Sequence, residues 1–382
     1  MSSTGPTRHI YVHVPFCGRR CSYCDFAIAV RRTVPWRAFN DAIMAELATR
    51  SVDLDPGSLK SLYLGGGTPS KLGQHGIPAL LAGFAHRLGV DNLSTLPGNP
   101  EITIEVNPED VTENAVSAWA AAGVNRASLG VQSFDPAVLR WMHREHGPQD
   151  SVRAAQLLRA GGIGSLSLDL IFALPDQLER DWTRDIELAL ELEPDHLSLY
   201  GLTVEPKTPL GRWSARGEVA EAPEERFEAE FLAAHRALGV AGYEHYEVSN
   251  YGRPGHRAVH NSAYWSGASY LGLGPSAHSF DGTARRWNIA AYAAWSDAVA
   301  AGADPLEGSE DLSENDRLAE SVYLGLRTTD GLGIRQSDAM TVTPWIERGW
   351  ARVAADRLQL TPLGWLRLDA LAVALTSARS RS

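Results

Sequence analysis

Six short apolar segments alternate with helix-period segments in the first part of the 382-residue sequence. Each apolar segment is rich in Val, Ile, Leu or Tyr, and its length is typical of a β-strand. The predicted strands cover residues 9–14, 61–65, 101–106, 126–131, 165–172 and 196–202. Because strands that alternate with helices pair in parallel, the pattern predicts a parallel sheet with helices outside it.

The helices predicted between these strands have apolar residues at a period of 3.6. They cover residues 36–50, 77–88, 112–122, 150–160 and 182–191. The alternation itself does not distinguish an open sheet from a closed or partial barrel. In both architectures the active site lies in the loops that follow the strands, so those loops should contain the functional residues.

After Pro223 the pattern changes. The sequence predicts helices over residues 224–238 and 314–326, and then a hairpin-and-helix module over residues 352–371 with winged-helix character. Winged helices often bind nucleic acid, but this one lacks a basic stripe. We therefore divide the sequence into a core (1–220), an α/β extension (221–302) and a C-terminal helical, winged-helix-like module (303–382).

The composition is that of a globular protein, with 44% hydrophobic and 21% charged residues. A net charge of −11 argues against a general nucleic-acid binder. No run reaches the roughly 20 apolar residues that a transmembrane helix needs, and the first residues do not resemble an export signal. We expect a cytoplasmic protein that meets membranes only through partners, and the sequence does not predict its oligomeric state.

All three cysteines lie in one loop, as Cys17, Cys21 and Cys24, with the spacing C-x3-C-x2-C. Thiolates are soft ligands, and iron–sulfur clusters commonly occupy such runs. Three cysteines would leave one iron of a [4Fe–4S] cluster open for a small chelating ligand. A disulfide would leave an odd thiol, and a structural zinc ion needs a fourth ligand, for which His13 is a weak candidate.

A glycine-rich turn, Gly65-Gly66-Gly67-Thr68-Pro69, follows the second predicted strand. Glycines allow the backbone to approach a ligand closely and expose its polar groups. A triple glycine by itself is equally consistent with a tight turn. Its position after a strand, in a chain with the cysteine motif, favours a ligand-binding role.

Together these motifs resemble the radical SAM superfamily, in which S-adenosylmethionine (SAM) chelates the open iron of a [4Fe–4S] cluster. Further segments resemble the branch that holds oxygen-independent coproporphyrinogen III oxidases and related heme chaperones. These segments are residues 11–17 (YVHVPFC), 23–26 (YCDF), 65–70 (GGGTPS), 104–108 (IEVNP), 128–134 (SLGVQSF) and 168–175 (LDLIFALP). The resemblance implies a partial (β/α)6 barrel followed by a mixed α/β region and the C-terminal module.

The same resemblance implies a SAM site. Tyr23 would lie beside the cluster-bound ligand, and the planar guanidinium of Arg144 would pair with its carboxylate. The other implied cofactor residues are Gly66, Gly67 and Thr68 at the methionyl amino end, Glu105, Gln132 and Asp169 near the ribose, and Tyr11, Thr203 and His278 around the cofactor. Alternatively, Glu105 and Asp169 could cap helices, and Arg144 could form a surface ion pair.

The branch contains two classes of function. One is an enzyme that oxidatively decarboxylates coproporphyrinogen III, and the other binds heme and delivers it to heme-requiring proteins. Phe26 occupies a position where the decarboxylase has a further cysteine, and Cys17 lies closer to the start of the chain than its counterpart there. Residues 260–265 match the H-N-x-x-Y-W motif of the chaperones. These features favour the chaperone.

His260, the first residue of that motif, is a candidate heme ligand. A neutral imidazole is a common axial ligand of heme iron, and the resemblance favours a heme contact here. The alternative is a hydrogen-bonded structural histidine that holds the loop before Tyr264. His256 is a second candidate for the heme ligand.

Overall fold

The computed structural model describes residues 6–50 and 54–381. All six predicted strands are present, and no end differs from its prediction by more than one residue. The strands are β1 (His9–Val14), β2 (Phe16–Cys17), β3 (Ala29–Val30), β4 (Ser61–Gly66), β5 (Glu101–Val106), β6 (Arg126–Gln132), β7 (Ser165–Phe172), β8 (His196–Gly201), β9 (Glu244–Glu247), β10 (Asn250–Gly252), β11 (Leu271–Leu273), β12 (His278–Phe280), β13 (Ala284–Asn288), β14 (Leu306–Asp311), β15 (Leu332–Gly333), β16 (Ala351–Ala354) and β17 (Arg357–Leu360).

The predicted helices also form, and α2 begins four residues before its predicted start. The helices are α1 (Trp36–Thr49), α2 (Gly73–Arg87), α3 (Glu113–Ala121), α4 (Pro136–Trp141), α5 (Pro148–Ala160), α6 (Trp182–Glu191), α7 (Pro209–Ala215), α8 (Glu224–Val240), α9 (Val259–Trp265), α10 (Tyr292–Ala300), α11 (Glu314–Arg327), α12 (Ala339–Glu347), α13 (Pro362–Trp365) and α14 (Leu368–Arg379). Thr112 and Asp181 begin α3 and α6, because their side chains accept hydrogen bonds from the first-turn backbone. None of the helices in the described residues is both long and apolar enough to cross a membrane.

The main sheet has the order β11-β1-β4-β5-β6-β7-β8-β10-β9. From β11 through β1, β4, β5, β6 and β7 to β8, neighbouring strands pair in parallel, and β10 is antiparallel to β8. Strands β11 and β9 remain at the two edges, so the sheet forms a partial barrel. The predicted partial (β/α)6 architecture is therefore confirmed.

The two faces of each barrel strand differ in polarity, as the alternation of side chains along a strand requires. Ile10, Val12 and Val14 of β1 are fully buried in the apolar layer beneath the helices. The alternate residues are polar and face the barrel interior, where register brings them side by side. One such row is Glu105, Ser128, Ser167 and His196. The barrel therefore has a polar interior inside an apolar shell.

The C-terminal part of the chain forms two smaller sheets. Strands β12, β13 and β14 form one antiparallel sheet, and β15, β17 and β16 form another. The second sheet packs against α11 and α12, and α14 packs against both of these helices, which gives the winged-helix-like arrangement expected from the sequence. The indole N–H of Trp365 donates to the carbonyl of Leu326 and ties the module together. The boundaries between the three predicted domains remain a prediction.

Candidate functional site

The cysteine loop lies at the carboxyl end of β1, where a parallel barrel places its functional loops. Phe16 anchors the start of the loop, because its ring is fully buried against Phe39. Farther along, the backbone N–H of Ser22 donates to Met142 at 3.1 Å. Cys17, Cys21 and Cys24 are half-buried free thiols that line one cavity of about 410 Å³.

The surroundings of the thiols suit an iron–sulfur cluster. Burial raises the pKa of Cys17 to about 11, and it also raises the pKa of Cys24. Binding of a metal centre would replace the protons that these thiols keep at neutral pH. No three His, Cys, Asp or Glu side chains in residues 6–50 and 54–381 are placed to hold a metal ion. A cluster binds each cysteine through a different iron, so the arrangement fits a cluster better than a single zinc ion.

The glycine turn after β4 is required by close packing. Gly66 has a φ of +108°, and a Cβ there would lie 2.5 Å from the ring of His13. A Cβ on Gly67 would lie 2.7 Å from the carbonyl carbon of Pro15. Both backbone N–H groups are used within the protein, by Glu105 at 3.0 Å and Val14 at 2.9 Å. The turn therefore brings Thr68 to within 3.3 Å of the Cys17 sulfur.

Arg144 is a component of the cavity rather than a surface ion pair. Its Nη2 donates to Asn107 at 2.7 Å and to the carbonyl of Gly130 at 3.0 Å. Its Nη1 lies 3.5 Å from the sulfur of Cys21. The Nε atom is buried and has no hydrogen-bond partner in the described residues. Because Arg144 also lines the cavity, its positive charge is placed to attract an anionic ligand.

Glu105 and Asp169 lie within strands and do not cap helices. Glu105 accepts hydrogen bonds from the Tyr63 hydroxyl at 2.8 Å and from the Gly66 backbone at 3.0 Å. Burial raises the pKa of Glu105 to about 7, against an ordinary value of 4.5, although the Tyr63 bond opposes this change. Asp169 accepts from Ser128, and burial raises its pKa too. Both carboxyl groups line the cavity.

The structure brings most of the predicted cofactor residues into this cluster cavity. They are Tyr23, Gly66, Gly67, Thr68, Glu105, Gln132, Arg144, Asp169 and Thr203. Tyr11 and His278 line a second cavity of about 390 Å³ instead. The two cavities adjoin, since Asp25, Phe26, Gly66 and Glu105 line both.

His260 lies in neither cavity. Its ring is 1% exposed, Nδ1 is 2.7 Å from the Ser61 hydroxyl, and Nε2 is 2.9 Å from the Tyr264 hydroxyl. Burial lowers its pKa to about 3. Both ring nitrogens are therefore engaged in this arrangement. It corresponds to the alternative given above, a hydrogen-bonded structural histidine. His256 also lies outside both cavities, 3.9 Å from Asp195.

Several residues in or beside the cluster cavity were not predicted from the sequence as site residues. Asn107 orients Arg144, and Glu109 lies 3.3 Å from His146. Both directly follow β5, so the general rule about strand ends could have indicated them. Tyr200, the second-last residue of β8, lines the cavity and is 44% exposed. No motif marked Tyr63, although it bonds to Glu105.

Comparisons with known proteins agree with this geometry. The family model of the Radical SAM superfamily matches residues 11–189 of this chain. The heme chaperone HemW of Synechocystis sp. is 36% identical over 342 residues, which cover 87% of this chain and 81% of that protein. HemW of Mycobacterium tuberculosis is 34% identical over 368 residues, 95% of this chain and 93% of that protein.

A solved structure shows the same fold over almost the whole chain. Coproporphyrinogen III oxidase (HemN) from Escherichia coli superposes with a TM-score of 0.79 and covers 97% of this chain and 91% of its own. The two sequences are 22% identical, so this likeness establishes the architecture and not the activity.

Proposed function

Because this chain belongs to the radical SAM superfamily and, within it, to the HemW family of heme chaperones, we propose that it binds heme and delivers it to heme-requiring proteins. The observation that carries the proposal is the end-to-end match with relatives of that name, which reaches 95% of this chain. That match extends beyond the barrel to the H-N-x-x-Y-W segment and the C-terminal module. The acceptor proteins would be recognised by this chain's own surface, and any membrane contact would occur through them.

The cysteine loop would hold the cluster in this proposal. Cys17, Cys21 and Cys24 would each bind one iron of a [4Fe–4S] cluster, and SAM would bind at the fourth iron. When bound, the cluster would supply the electron that cleaves a C–S bond of SAM. Thr68 lies beside the Cys17 sulfur, and Arg144 lies beside the Cys21 sulfur, so both would touch the edge of the bound group.

The remaining cavity residues would orient SAM. The position of Arg144 at the cavity wall, beside the Cys21 sulfur, supports pairing with the SAM carboxylate, because a guanidinium binds carboxylates through charge-assisted hydrogen bonds. Gln132, Asp169 and Thr203 also line the cavity and offer acceptors for ribose hydroxyls. Both carboxyl oxygens of Glu105 already accept bonds, so Glu105 would act mainly by fixing the Gly66 turn.

The second candidate function is the oxidative decarboxylation of coproporphyrinogen III. It is favoured by the shared fold and by a cavity suited to the same cofactors. It is opposed by Phe26, which stands where the decarboxylase motif has its additional cysteine. The two functions make different products, and one experiment separates them.

The test is an anaerobic assay of cluster-reconstituted protein with SAM, a reductant and coproporphyrinogen III. Porphyrin products and 5′-deoxyadenosine are quantified together, and heme is titrated into a parallel sample. We expect stoichiometric heme binding, transfer to an apo-heme protein and no decarboxylated product. Protoporphyrinogen formed over many turnovers, or a protein with a full cluster that binds no heme, would overturn the proposal.

A further inference from the structure

The segment that contains the three cysteines has a charge opposite to that of the rest of the chain. Residues 17–37 contain five arginines and a single carboxylate, although the whole chain has a net charge of −11. The five are Arg19, Arg20, Arg31, Arg32 and Arg37, and all are exposed. None of them forms an ion pair within residues 6–50 and 54–381. Their positive charge is therefore not neutralised by neighbouring carboxylates.

Tertiary contacts place four of these arginines beside the cysteines. Strand β3 pairs with β2, so that Val30 lies opposite Cys17. The backbone N–H of Arg31 donates to the Cys17 carbonyl at 3.0 Å. Within the cysteine loop, Nη1 of Arg20 donates to the Cys24 carbonyl at 3.2 Å. The loop and the segment after β3 thus form one basic surface at the cluster site. We call this surface the basic collar, and its residues are Arg19, Arg20, Arg31 and Arg32.

The surface next to the basic collar also exposes apolar groups. Val30 is 46% exposed, although it lies in a strand. Trp36 is partly exposed, and the guanidinium of Arg37 lies 4.3 Å from the centre of its ring. An apolar centre with a charged rim is the usual composition of a protein–protein contact. Because Val30 lies opposite Cys17, a protein bound here would lie next to a cluster ligand.

The cluster in the proposed function requires an electron from outside the chain. It would lose one electron each time a C–S bond of SAM is cleaved, so a reductant must restore that electron. The rate of electron transfer falls steeply with distance, which favours a donor that docks where the cluster ligands lie nearest the surface. Cys17 and Cys24 are half-buried, and both accept hydrogen bonds from residues of the basic collar. The basic collar therefore lies where an electron donor would have to approach.

We propose that the basic collar is the docking surface for an acidic one-electron carrier protein, with a flavin or an iron–sulfur centre, that reduces the cluster. The inference rests on the cluster of the proposed function. In this step the carrier is oxidised by one electron and the cluster is reduced by one electron, and no bond forms or breaks. The rest of the chain is acidic and repels such a carrier, so the basic collar also sets its orientation. Electron-transfer complexes are typically small and transient, which suits a surface of this size.

The test uses flavodoxin, an acidic flavin protein, as the probe carrier. The full-length protein is reconstituted with its cluster, and reduction by flavodoxin hydroquinone is followed by stopped-flow absorption at several salt concentrations. The double variant Arg31→Glu/Arg32→Glu reverses half the charge of the basic collar. Arg87→Glu/Arg236→Glu is the matched control, because it changes the net charge equally. Both control arginines are exposed, lie on α2 and α8, and line neither cavity.

We expect flavodoxin to reduce Arg31→Glu/Arg32→Glu at least about tenfold more slowly than wild type at low salt, and the control within about twofold. Wild-type reduction should slow as salt is added, because salt screens exposed charges. Photoreduced deazaflavin needs no protein docking, so it should reduce both variants at the wild-type rate. Cluster-free wild type should still bind oxidised flavodoxin, and cluster-free Arg31→Glu/Arg32→Glu should bind it at least about tenfold more weakly.

The other possible outcomes would overturn the inference. Equal rates with flavodoxin for the two double variants would remove the docking role from the basic collar. A wild-type cluster that deazaflavin reduces and flavodoxin does not would exclude an acidic carrier. If Arg31→Glu/Arg32→Glu instead lost binding to vesicles of anionic phospholipid, with its reduction by flavodoxin unchanged, the surface would be assigned to a membrane.

The proposed function is checked separately on the same samples by iron analysis and heme titration. A wild-type protein that takes up no cluster iron would overturn this inference together with the proposed cluster. A protein that binds no heme, but shows the expected effects at the basic collar, would overturn the heme-delivery function and support the docking surface.

Discussion

The two ends of the barrel contain similar polar side chains, but the structure uses them in opposite ways. At the amino ends of the strands, Ser61 lies between His9 at 2.9 Å and His260 at 2.7 Å. Glu101 accepts hydrogen bonds from the backbone of the first two residues of α9. Helix α9 thereby closes this end, and His9, His260 and Glu101 are engaged within the protein.

At the carboxyl ends the polar groups are left for a ligand. The three thiols face a cavity, and the Nε of Arg144 has no partner in the described part of the chain. His278 lines the adjoining cavity. The comparison shows that the position of a polar group at a cavity, and not its residue type, distinguishes a binding end from a structural end.

Among the tests of this contrast, we expect the largest effect for Cys24→Ser at the binding end. A hydroxyl is a poor substitute for a thiolate at iron, so we expect complete loss of the cluster. Iron and sulfide content and visible absorption would be measured after anaerobic reconstitution. Ser22→Ala is a matched control in the same loop, because the buried Ser22 hydroxyl has no hydrogen-bond partner among residues 6–50 and 54–381, and its loss should leave the cluster intact. Full iron content in Cys24→Ser would remove that residue from the ligand set.

At the structural end, we expect His260→Ala to lower the stability of the fold and to leave the cluster bound. The substitution leaves a cavity and removes the partners of Ser61 and Tyr264, so we expect a loss of roughly 3–5 kcal/mol in the free energy of unfolding. Iron content should stay at the wild-type value. Denaturant unfolding of His260→Ala is compared with that of His256→Ala. Replacing the half-exposed His256 should lower the free energy of unfolding by less than about 1 kcal/mol. Equal stability of the two variants would contradict a structural role for His260.

The barrel was predictable because its information is local. Strand and helix periods fixed the six strands to within one residue, and the cysteine spacing placed the three thiols in one loop. The separation of the two cavities was not predictable, because it depends on β11 adding to β1 with Ile10 opposite Leu271. Likewise, the bond between His260 and Ser61 joins residues 199 positions apart. The motif identifies His260 in the sequence, but only the tertiary contacts determine whether its ring nitrogens are free.

A pH-dependent effect is expected from Glu105, whose pKa burial raises to about 7 from 4.5. Between these values the folded protein binds more protons than the unfolded chain, so stability falls as pH rises through this window. A shift of this size corresponds to about 3 kcal/mol. Glu105→Gln removes the titration, so the variant should gain stability relative to wild type from pH 5 to pH 8.

The stability difference between Glu105→Gln and wild type is measured from their melting temperatures at each pH. Both proteins are used without the cluster, so that the charge of a bound group does not affect the result. Asp181→Asn is a control at a carboxylate that caps α6 far from the cavity, and its difference from wild type should stay nearly constant over the same range. A constant difference for Glu105→Gln as well would mean that Glu105 is already ionised at pH 5.

The smallest effect is expected where the two ends meet, at Tyr63. Its ring stacks on His260 with a centroid distance of 5.1 Å, and its hydroxyl donates to Glu105 at 2.8 Å. Tyr63→Phe keeps the stacking and removes the hydrogen bond, so we expect a loss of about 1 kcal/mol. The loss should be larger at pH 8 than at pH 5, because the bond is stronger to an ionised carboxylate. Equal losses at both pH values would show that this bond does not stabilise the charge on Glu105, and the closed end would then influence the open end through packing alone.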